Sequence, residues 1–300
     1  MDWITGMQKA IDYIEAHLKD EINYEDVAAE CYSSSFNFQR VFGILCGYTL
    51  GEYIRNRRLS LAGAELATTD AKVIDVALDY GYDSPDSFAR AFKSFHGILP
   101  SEAKRKGKKL KSFSRLVLKL SLEGGNIMNY RIEEKPEMIL TGYKKRLTGI
   151  PDEREDQECD FYVHTRPQQY LLGGLTNHPE TQHNVVTNVG DDGYDFWITQ
   201  ELTANVRARM HEDCVLGDPY ANWYENIVIP AHLYAVFETE RCKYPTTVFL
   251  DLKKKIVSEW LPSSGYRLAD APEIVVTHWY RHPRSKERYR EIWVPIEKDE

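Results

Sequence analysis

Few residues in this sequence have the types and spacing that catalysis or metal binding requires. His278 and His282 stand four apart, but the residues around them are typical of a strand followed by Pro283, so we expect no helical metal-binding face. The stretch 211–214, His-Glu-Asp-Cys, could supply a Cys–His nucleophile, yet no recognisable third residue would orient the histidine. The sequence also contains no Gly-x-Gly-x-x-Gly and no P-loop. We therefore expect no enzyme, no cofactor and no metal.

Aromatic side chains are the strongest candidates for a binding site. The chain has 6 tryptophans and 19 tyrosines, and most of the tryptophans follow residue 190. Aromatic rings around a carboxylate suit a hydrophobic cation, because the ring face attracts positive charge and the carboxylate neutralises it. For any single ring, packing in the core is the alternative. The residues that we expect to bind such an effector are Trp197, Glu201, Trp223, Tyr224, Trp260, Tyr266, Glu273 and Trp279.

A second group of candidate residues lies in a repeat near the amino terminus. The pattern Val-Ala…Ser…Phe-x-Arg-x-Phe over residues 27–42 recurs over residues 76–92. Each copy predicts a short helix, a turn and a second helix that begins after a capping serine, Ser34 or Ser84. Phenylalanines four apart would form the buried stripe of each second helix, and the polar residues between them would point away from it. The repeat therefore predicts two helix-turn-helix units.

The segment between the two units predicts a rigid spacer. Residues 50–66 have apolar residues at helical spacing, and a helix of that length is roughly 25 Å long. Such a rod can hold two recognition helices about one turn of duplex DNA apart, roughly 34 Å, without dimerisation. For Arg57 and Arg58 on this helix, internal ion pairs are favoured over contacts with phosphate.

The repeat resembles the DNA-binding domain of the AraC/XylS family over residues 8–106. The shared motifs are Ala28-x5-Ser34-x3-Phe38-Gln39-Arg40-x-Phe42, Tyr53-Ile54-Arg55-x-Arg57-Arg58-Leu59, Ile74-x2-Val76-Ala77, Gly81-Tyr82, Ser87-Phe88-x-Arg90-x-Phe92-Lys93 and Gly97-x2-Pro100-Ser101. The resemblance implies a transcription regulator with an all-α domain whose helices 35–45 and 85–95 enter the major groove of operator DNA. RNA polymerase is the further partner that we expect. The residues that the resemblance places at the DNA are Ser35, Phe36, Asn37, Gln39, Arg40, Ser84, Asp86, Ser87, Arg90 and Lys93.

The chemistry of these residues suggests which bases they contact. Arginine can pair with guanine and glutamine with adenine, so Arg40 and Gln39 are suited to base contacts. Family members often carry glutamines at the start of the second recognition helix, whereas this chain has Pro85 and Asp86. The carboxylate of Asp86 could accept a hydrogen bond from cytosine N4 or could cap the helix. Phe36 would contact a thymine methyl or join the core.

From residue 128 onward the pattern changes to that of an α+β domain with a mainly antiparallel sheet. Runs rich in β-branched and aromatic residues predict strands over residues 130–133, 138–143, 194–201, 233–237 and 291–296. A basic, glycine-containing run at 104–109 and the glycines at 124–125 are typical of a linker. We place a DNA-binding domain at residues 1–107, a linker at 108–127 and a second domain at 128–300.

The second domain resembles GyrI-like (SOG-type) effector-binding domains over residues 128–297. The shared motifs are Ile229-Pro230-Ala231-x2-Tyr234-Ala235-Val236-Phe237, Trp260-Leu261-x2-Ser264-Gly265-Tyr266 and Ile292-Trp293-x-Pro295-Ile296. The resemblance implies a concave, aromatic-lined pocket for an amphipathic or cationic compound, with a glutamate near the last strands facing the cation. Glu201 and Glu273 are the candidates for that glutamate. The alternatives are a hydrolase of electrophilic toxins and a DNA-binding scaffold whose second domain makes protein contacts.

Charge and composition agree with two domains that have different partners. The net charge is −8, but residues 1–119 carry a balance of +1 and the remaining residues a balance of −9. No apolar run approaches the roughly 18–20 residues that span a bilayer, and the first residues lack the pattern of a secretory signal. The 5 cysteines form no Cys-x-x-Cys, which favours the reducing cytoplasm.

Overall fold

The chain divides into two compact units: residues 1–43 and 48–122 form the first, and residues 44–47 and 123–300 form the second. In the described residues the first unit is helical, whereas the second combines helices with a sheet, as the sequence predicts. The computed structural model describes residues 3–105, 107–117, 128–149, 151–190, 192–212, 223–242, 246–279 and 288–298.

The first unit has the two predicted helix-turn-helix units. Its helices are α1 (Trp3–Ala16), α2 (Tyr24–Ala29), α3 (Ser35–Cys46), α4 (Leu50–Thr68), α5 (Val73–Asp79), α6 (Pro85–His96) and α7 (Pro100–Ala103). Helices α2 and α3 form the first helix-turn-helix unit, and α5 and α6 form the second. The connecting helix α4 has 19 residues, which corresponds to a rod of about 28 Å. The spacer predicted over residues 50–66 is therefore confirmed.

Capping side chains fix where these helices begin. Ser84 Oγ accepts a hydrogen bond from the Ser87 N–H at 3.2 Å, and Ser34 Oγ accepts one from the Asn37 N–H at 3.3 Å. Both serines thus satisfy backbone donors that a helix start leaves unpaired. Helix α4 begins at a capping box that the sequence analysis did not identify: the Thr49 N–H donates to Glu52 Oε2 at 2.7 Å, and the Glu52 N–H donates to Thr49 Oγ1.

The phenylalanine stripes form the core of each helix-turn-helix unit. Phe38, Phe42, Phe88 and Phe92 are all fully buried, which confirms the spacing argument. The expectation that every polar residue between them points away needs one correction. Asn37 is only 8% exposed, because it lies one turn into α3, next to the buried Phe38.

The predicted linker also needs correction at its start. Residues 110–116 run along the first unit instead of forming a free tether. The Phe113 N–H donates to Ser60 Oγ at 3.0 Å, and the Leu116 N–H donates to the Tyr53 hydroxyl at 3.2 Å. The Phe113 ring also lies 5.2 Å from the ring of Tyr48. Residues 118–127 lie outside the described residues.

The second unit is built on one antiparallel sheet. Its strands are β1 (Tyr130–Lys135), β2 (Met138–Thr148), β3 (Thr181–Gly190), β4 (Gly193–Glu201), β5 (Glu225–Ile229), β6 (His232–Glu238), β7 (Tyr266–Leu268), β8 (Ile274–His278) and β9 (Tyr289–Lys298). Its helices are α8 (Pro151–His164), α9 (Arg166–Leu175), α10 (Ala204–Glu212) and α11 (Thr246–Lys255), the last followed by a π-helical turn (Ile256–Trp260).

The strand order shows an internal pseudo-two-fold. The order is β1-β6-β9-β8-β3-β4-β2-β5, and β7 pairs with the end of β9. Read from the centre outward, β8, β9 and β6 on one side match β3, β4 and β2 on the other. The outermost strands are exchanged, since β1 pairs with β6 and β5 pairs with β2. Each half of the sheet is thus completed by a strand from the other half.

The sheet has two different faces. Because paired residues project to the same side, the registers place Trp197, Val185, Ile274 and Trp293 in one row on one face. We call this side the Trp face. The opposite side, the helix face, packs against α8 and α9 through a core that includes Phe196. Both faces carry a buried apolar core, since Val185 and Ile274 of the Trp face are fully buried.

Candidate DNA interface and effector site

Interactions within the first unit hold α4 and its neighbours in place. The Arg57 guanidinium donates to both carboxylate oxygens of Glu15 at 2.8 Å, and the Tyr53 hydroxyl donates to Glu15 at 2.6 Å. Burial alone would raise the pKa of the Glu15 carboxyl, but the bonds from Arg57 and Tyr53 outweigh burial and lower it. The internal ion pair favoured for Arg57 is confirmed. Arg58 differs, since it donates to the backbone carbonyls of Leu18 and Asp20.

Helix α3 presents the first group of candidate DNA-contacting residues. Phe36 is 40% exposed in the first turn of the helix. Ser35, Gln39 and Arg40 are half-buried, and Gln39 Nε2 donates to Ser35 Oγ at 3.2 Å. Asn37 is buried, so it is less accessible than the other members of this group.

Helix α6 presents the second group. Asp86, Arg90 and Lys93 are exposed, whereas Ser84 and Ser87 are half-buried. The two serines are bonded to each other, with 3.0 Å between their hydroxyl oxygens. Because Ser84 caps α6, the cap position does not need the Asp86 carboxylate. The exposed surface of α6 therefore has one negative and two positive side chains available for contacts.

The candidate effector-binding residues do not form one group in the structure. Trp197 alone of the predicted rings lies on the Trp face, in a core with Tyr234 and Trp293. Trp223 and Tyr224 pack in the helix-face core. Trp260 lies 4.9 Å from the ring of Phe237, on the helix face as well.

The remaining predicted residues lie at the edges of this arrangement. Tyr266 stacks on Trp260, with 6.3 Å between ring centres. Glu273 forms an ion pair with Lys253 of α11 at 2.5 Å, and Glu201 is exposed at the end of β4. Trp279 follows β8 and has the Arg288 guanidinium 5.1 Å from its ring. Glu273 therefore lies away from the row that contains Trp197. Glu201, which pairs with Leu140, projects from the same face as Trp197 but at the exposed end of the strand.

A carboxylate on the Trp face was missed by the sequence analysis. Glu291 is 8% exposed and accepts a hydrogen bond from Trp293 Nε1 at 2.7 Å. Arg131 lies 2.9 Å from the same carboxylate, and His278 lies 3.4 Å from it. Burial alone would raise the pKa of Glu291, but the bonds from His278, Trp293 and Arg131 lower it to about 2. Glu291 is therefore a buried anion, and its alternation with Trp293 on the last strand was the available signal.

A buried histidine lies beside this group. The ring of His183 is 6.0 Å from the ring of Trp293, and its Nδ1 has no hydrogen-bond partner. Burial and the nearby His278 lower the pKa of His183 to about 4, so the ring is neutral at pH 7. The Trp face thus combines aromatic rings, a fixed negative charge and a neutral imidazole.

The described part of the chain contains no group of three His, Cys, Asp or Glu side chains that could hold a metal ion. No helix within that part has the length and apolar character needed to cross a membrane. The cysteines described there, Cys31, Cys46, Cys159 and Cys242, are free thiols. The predicted Cys–His stretch at 211–214 extends beyond the described residues.

Comparison with known proteins assigns a family to each part of the chain. Residues 27–106 match the helix-turn-helix domain family. Residues 179–296 match the family of integron-associated effector binding proteins.

Individual relatives agree with this division. The transcriptional activator AarP of Providencia stuartii is 45% identical over 89 residues, which are 30% of this chain and 66% of AarP. Regulatory protein SoxS of Salmonella typhimurium is 40% identical over 96 residues, which are 32% of this chain and 90% of SoxS. Transcriptional regulator Rob of Salmonella typhimurium is 33% identical over 168 residues, covering 54% of this chain and 57% of Rob. The chain thus belongs to the AraC-type family of DNA-binding transcription regulators, with a helix-turn-helix domain followed by an effector-binding domain.

Proposed function

We propose that this regulator contacts operator DNA with α3 and α6, and that its second domain binds an amphipathic organic cation on the Trp face. The DNA contact is supported by the duplicated helices, which expose Phe36 on α3 and Asp86, Arg90 and Lys93 on α6. Free cysteines suit the cytoplasm, where RNA polymerase would be its further partner.

Selection of bound sequences from a random DNA pool tests the DNA contact. Arg40→Ala and Arg90→Ala should each weaken binding to the selected operator by about 1–3 kcal/mol and relax base preference in one half-site. Lys9→Ala removes an exposed positive charge from α1 and is the matched control, for which we expect unchanged base preference. Loss of affinity without any change in base preference would place these arginines at phosphates instead of bases.

The effector proposal rests on one observation, the buried Glu291 carboxylate beside Trp293. A buried anion next to an aromatic ring favours a cation that is poorly hydrated, because such a cation loses little on leaving water and gains both contacts. An alkylammonium compound with an apolar tail has this chemistry. Its tail would lie over the neighbouring strands β8 and β3 of the Trp face, where Ile274 and Val185 form part of a fully buried core.

Calorimetry with decyltrimethylammonium and neutral decan-1-ol tests this proposal. We expect the cation to bind and the alcohol to bind at least about tenfold more weakly, since a charge contact is worth more than 1 kcal/mol when desolvated. Glu291→Gln should abolish that difference. Glu297→Gln is the matched control, since Glu297 lies on the same strand and pairs with Arg267 at the surface. Equal binding of the two compounds to the wild-type chain would refute a cation site.

A further inference from the structure

The pseudo-two-fold of the sheet gives the Trp face two similar positions for a positive charge. Trp293 and Trp197 lie in one row across the sheet, with Val185 and Ile274 between them. Three strand spacings separate the two tryptophans, which corresponds to roughly 14 Å. The row is therefore long enough for a ligand with two separated charges.

Each of these tryptophans already has a lysine ammonium over its ring. Lys135 Nζ lies 4.2 Å from the ring centre of Trp293, and Lys144 Nζ lies 4.7 Å from the ring centre of Trp197. Both distances lie in the range in which an aromatic face attracts a cation. Both ring faces thus attract a positive charge, and a ligand cation would have to displace Lys135 and Lys144 to reach them.

Each tryptophan also has a carboxylate two residues earlier on its own strand. These are Glu291 and Asp195, and side chains two apart on a strand project from the same face. Arg131 pairs with Glu291, as described above. Asp195 lies 3.4 Å from the Arg146 guanidinium and accepts a hydrogen bond from Asn188 Nδ2 at 2.8 Å. At both positions an arginine balances the carboxylate, and a ligand cation could take over that role.

We propose that the effector carries two positive charges joined by an apolar segment. One charge lies at Trp293 and Glu291, so this inference rests on the proposed function. The second charge lies at Trp197 and Asp195, at the other end of the row. The apolar segment spans the row above Val185 and Ile274, which are fully buried, so binding requires the side chains that now cover them to move.

Three simple compounds test the number and spacing of the charges. Decamethonium has two trimethylammonium groups about 14 Å apart when its ten methylenes are extended. Decyltrimethylammonium has the same chain with one charge, and hexamethonium has two charges only about 9 Å apart. With the full chain in a calorimeter, we expect decamethonium to bind roughly tenfold or more tightly than either of the others.

A variant of the second position tests where the extra affinity arises. Asp195→Asn should lower the affinity for decamethonium to about that for decyltrimethylammonium. Asp192→Asn is the matched control, because Asp192 also pairs with Arg146, at 2.5 Å, but is largely exposed outside the row. The control should keep the preference for decamethonium.

The outcomes separate this inference from the proposed function. Equal affinity for decamethonium and decyltrimethylammonium would overturn the dication and leave a single-cation site intact. A preference that survives Asp195→Asn, or that hexamethonium shares, would overturn the second position in the same way. If none of the three compounds bound, the proposed effector class and the dication would both fail. The comparison of compounds needs only the wild-type chain, so it does not depend on how a variant folds.

Discussion

The two helix-turn-helix units have the same framework but different surfaces. At an offset of about 50 residues, the serine caps, the phenylalanine stripes and the glutamates that accept from the N-cap N–H of α4 and α7 coincide. Glu102 Oε2 accepts a hydrogen bond from the Leu99 N–H at 2.9 Å, as Glu52 does from the Thr49 N–H. The surfaces differ in part, since Phe36 corresponds to Asp86, whereas the half-buried Arg40 corresponds to the exposed Arg90. The two helix-turn-helix units thus share the residues that position α3 and α6 and differ in part of the surface that we propose to contact DNA.

The cores of the two helix-turn-helix units should lose the same stability when an equivalent phenylalanine is removed. Phe42 and Phe92 are both fully buried, so replacing either by alanine should lower the free energy of unfolding by about 3–5 kcal/mol. Leu78→Ala is the control, because Leu78 is 59% exposed and should change stability by less than about 0.5 kcal/mol. Hydrogen exchange of the first unit would measure these changes. A loss below about 1 kcal/mol at one phenylalanine alone would show that the two cores are not equivalent.

The surfaces of the two units should respond differently. Asp86→Asn should change the preferred base from cytosine to adenine in one half-site, with a discrimination of about 1–3 kcal/mol. Phe36→Ala should act on the other half-site by removing contact with a thymine methyl group. Replacing thymine by deoxyuridine, which lacks that methyl, would then weaken binding by the wild-type chain but not by Phe36→Ala. If both substitutions altered the same half-site, the assignment of one unit to each half-site would be wrong.

Substitutions in the turns of the two helix-turn-helix units should change stability in opposite directions. Gly81 has φ +76° and Tyr32, at the equivalent position, has φ +53°, a region that costs a side chain about 1–2 kcal/mol. Gly81→Ala should destabilise by about that amount, and its Cβ would lie 2.7 Å from the Arg58 guanidinium. Tyr32→Gly should instead be neutral or stabilise by up to about 1 kcal/mol. Thermal unfolding measures both changes, and destabilisation by Tyr32→Gly would show that its exposed ring makes a needed contact.

The smallest expected difference between the two helix-turn-helix units is in how their stability depends on pH. His96 and Cys46 occupy equivalent positions, and burial lowers the pKa of His96. The neutral ring donates a hydrogen bond from Nε2 to the Leu59 carbonyl and accepts one at Nδ1 from the Lys111 N–H. Because the unfolded chain binds the proton more readily, the second helix-turn-helix unit should lose stability as the pH falls through the ordinary histidine pKa of 6.5. Hydrogen exchange at pH 7 and pH 5 should show faster opening in α6 than in α3, and His96→Gln should remove the difference.

The sequence predicted the first unit well because its contacts are local. Capping serines and phenylalanines four apart act within one or two helical turns, so the helices 35–45 and 85–95 were predicted to within one residue of α3 and α6. The fold class of the second unit was also predicted, since aromatic and β-branched runs identified β1, β2, β4, β6 and β9 at least in part.

The proposed effector site could not be assembled from the sequence in the same way. Trp197 and Glu291 are 94 positions apart, and only the central pairing of β3 with β8 puts their strands in one sheet. The face on which each ring lies depends on strand register, which aromatic composition does not specify. Trp260 and Trp223 therefore joined the candidate group although they pack on the helix face.

The exchange of outer strands in the sheet limits where the chain can be cut to give a fragment that folds. A fragment that begins after residue 135 would lack β1, and the hydrogen-bonding edge of β6 would be left open. Open edges of this kind promote pairing between molecules and aggregation. The matched effector family begins at residue 179, yet a soluble version of this domain must start before Tyr130. The first strand that follows the DNA-binding domain in the sequence, β1, is thus a structural part of the effector-binding domain.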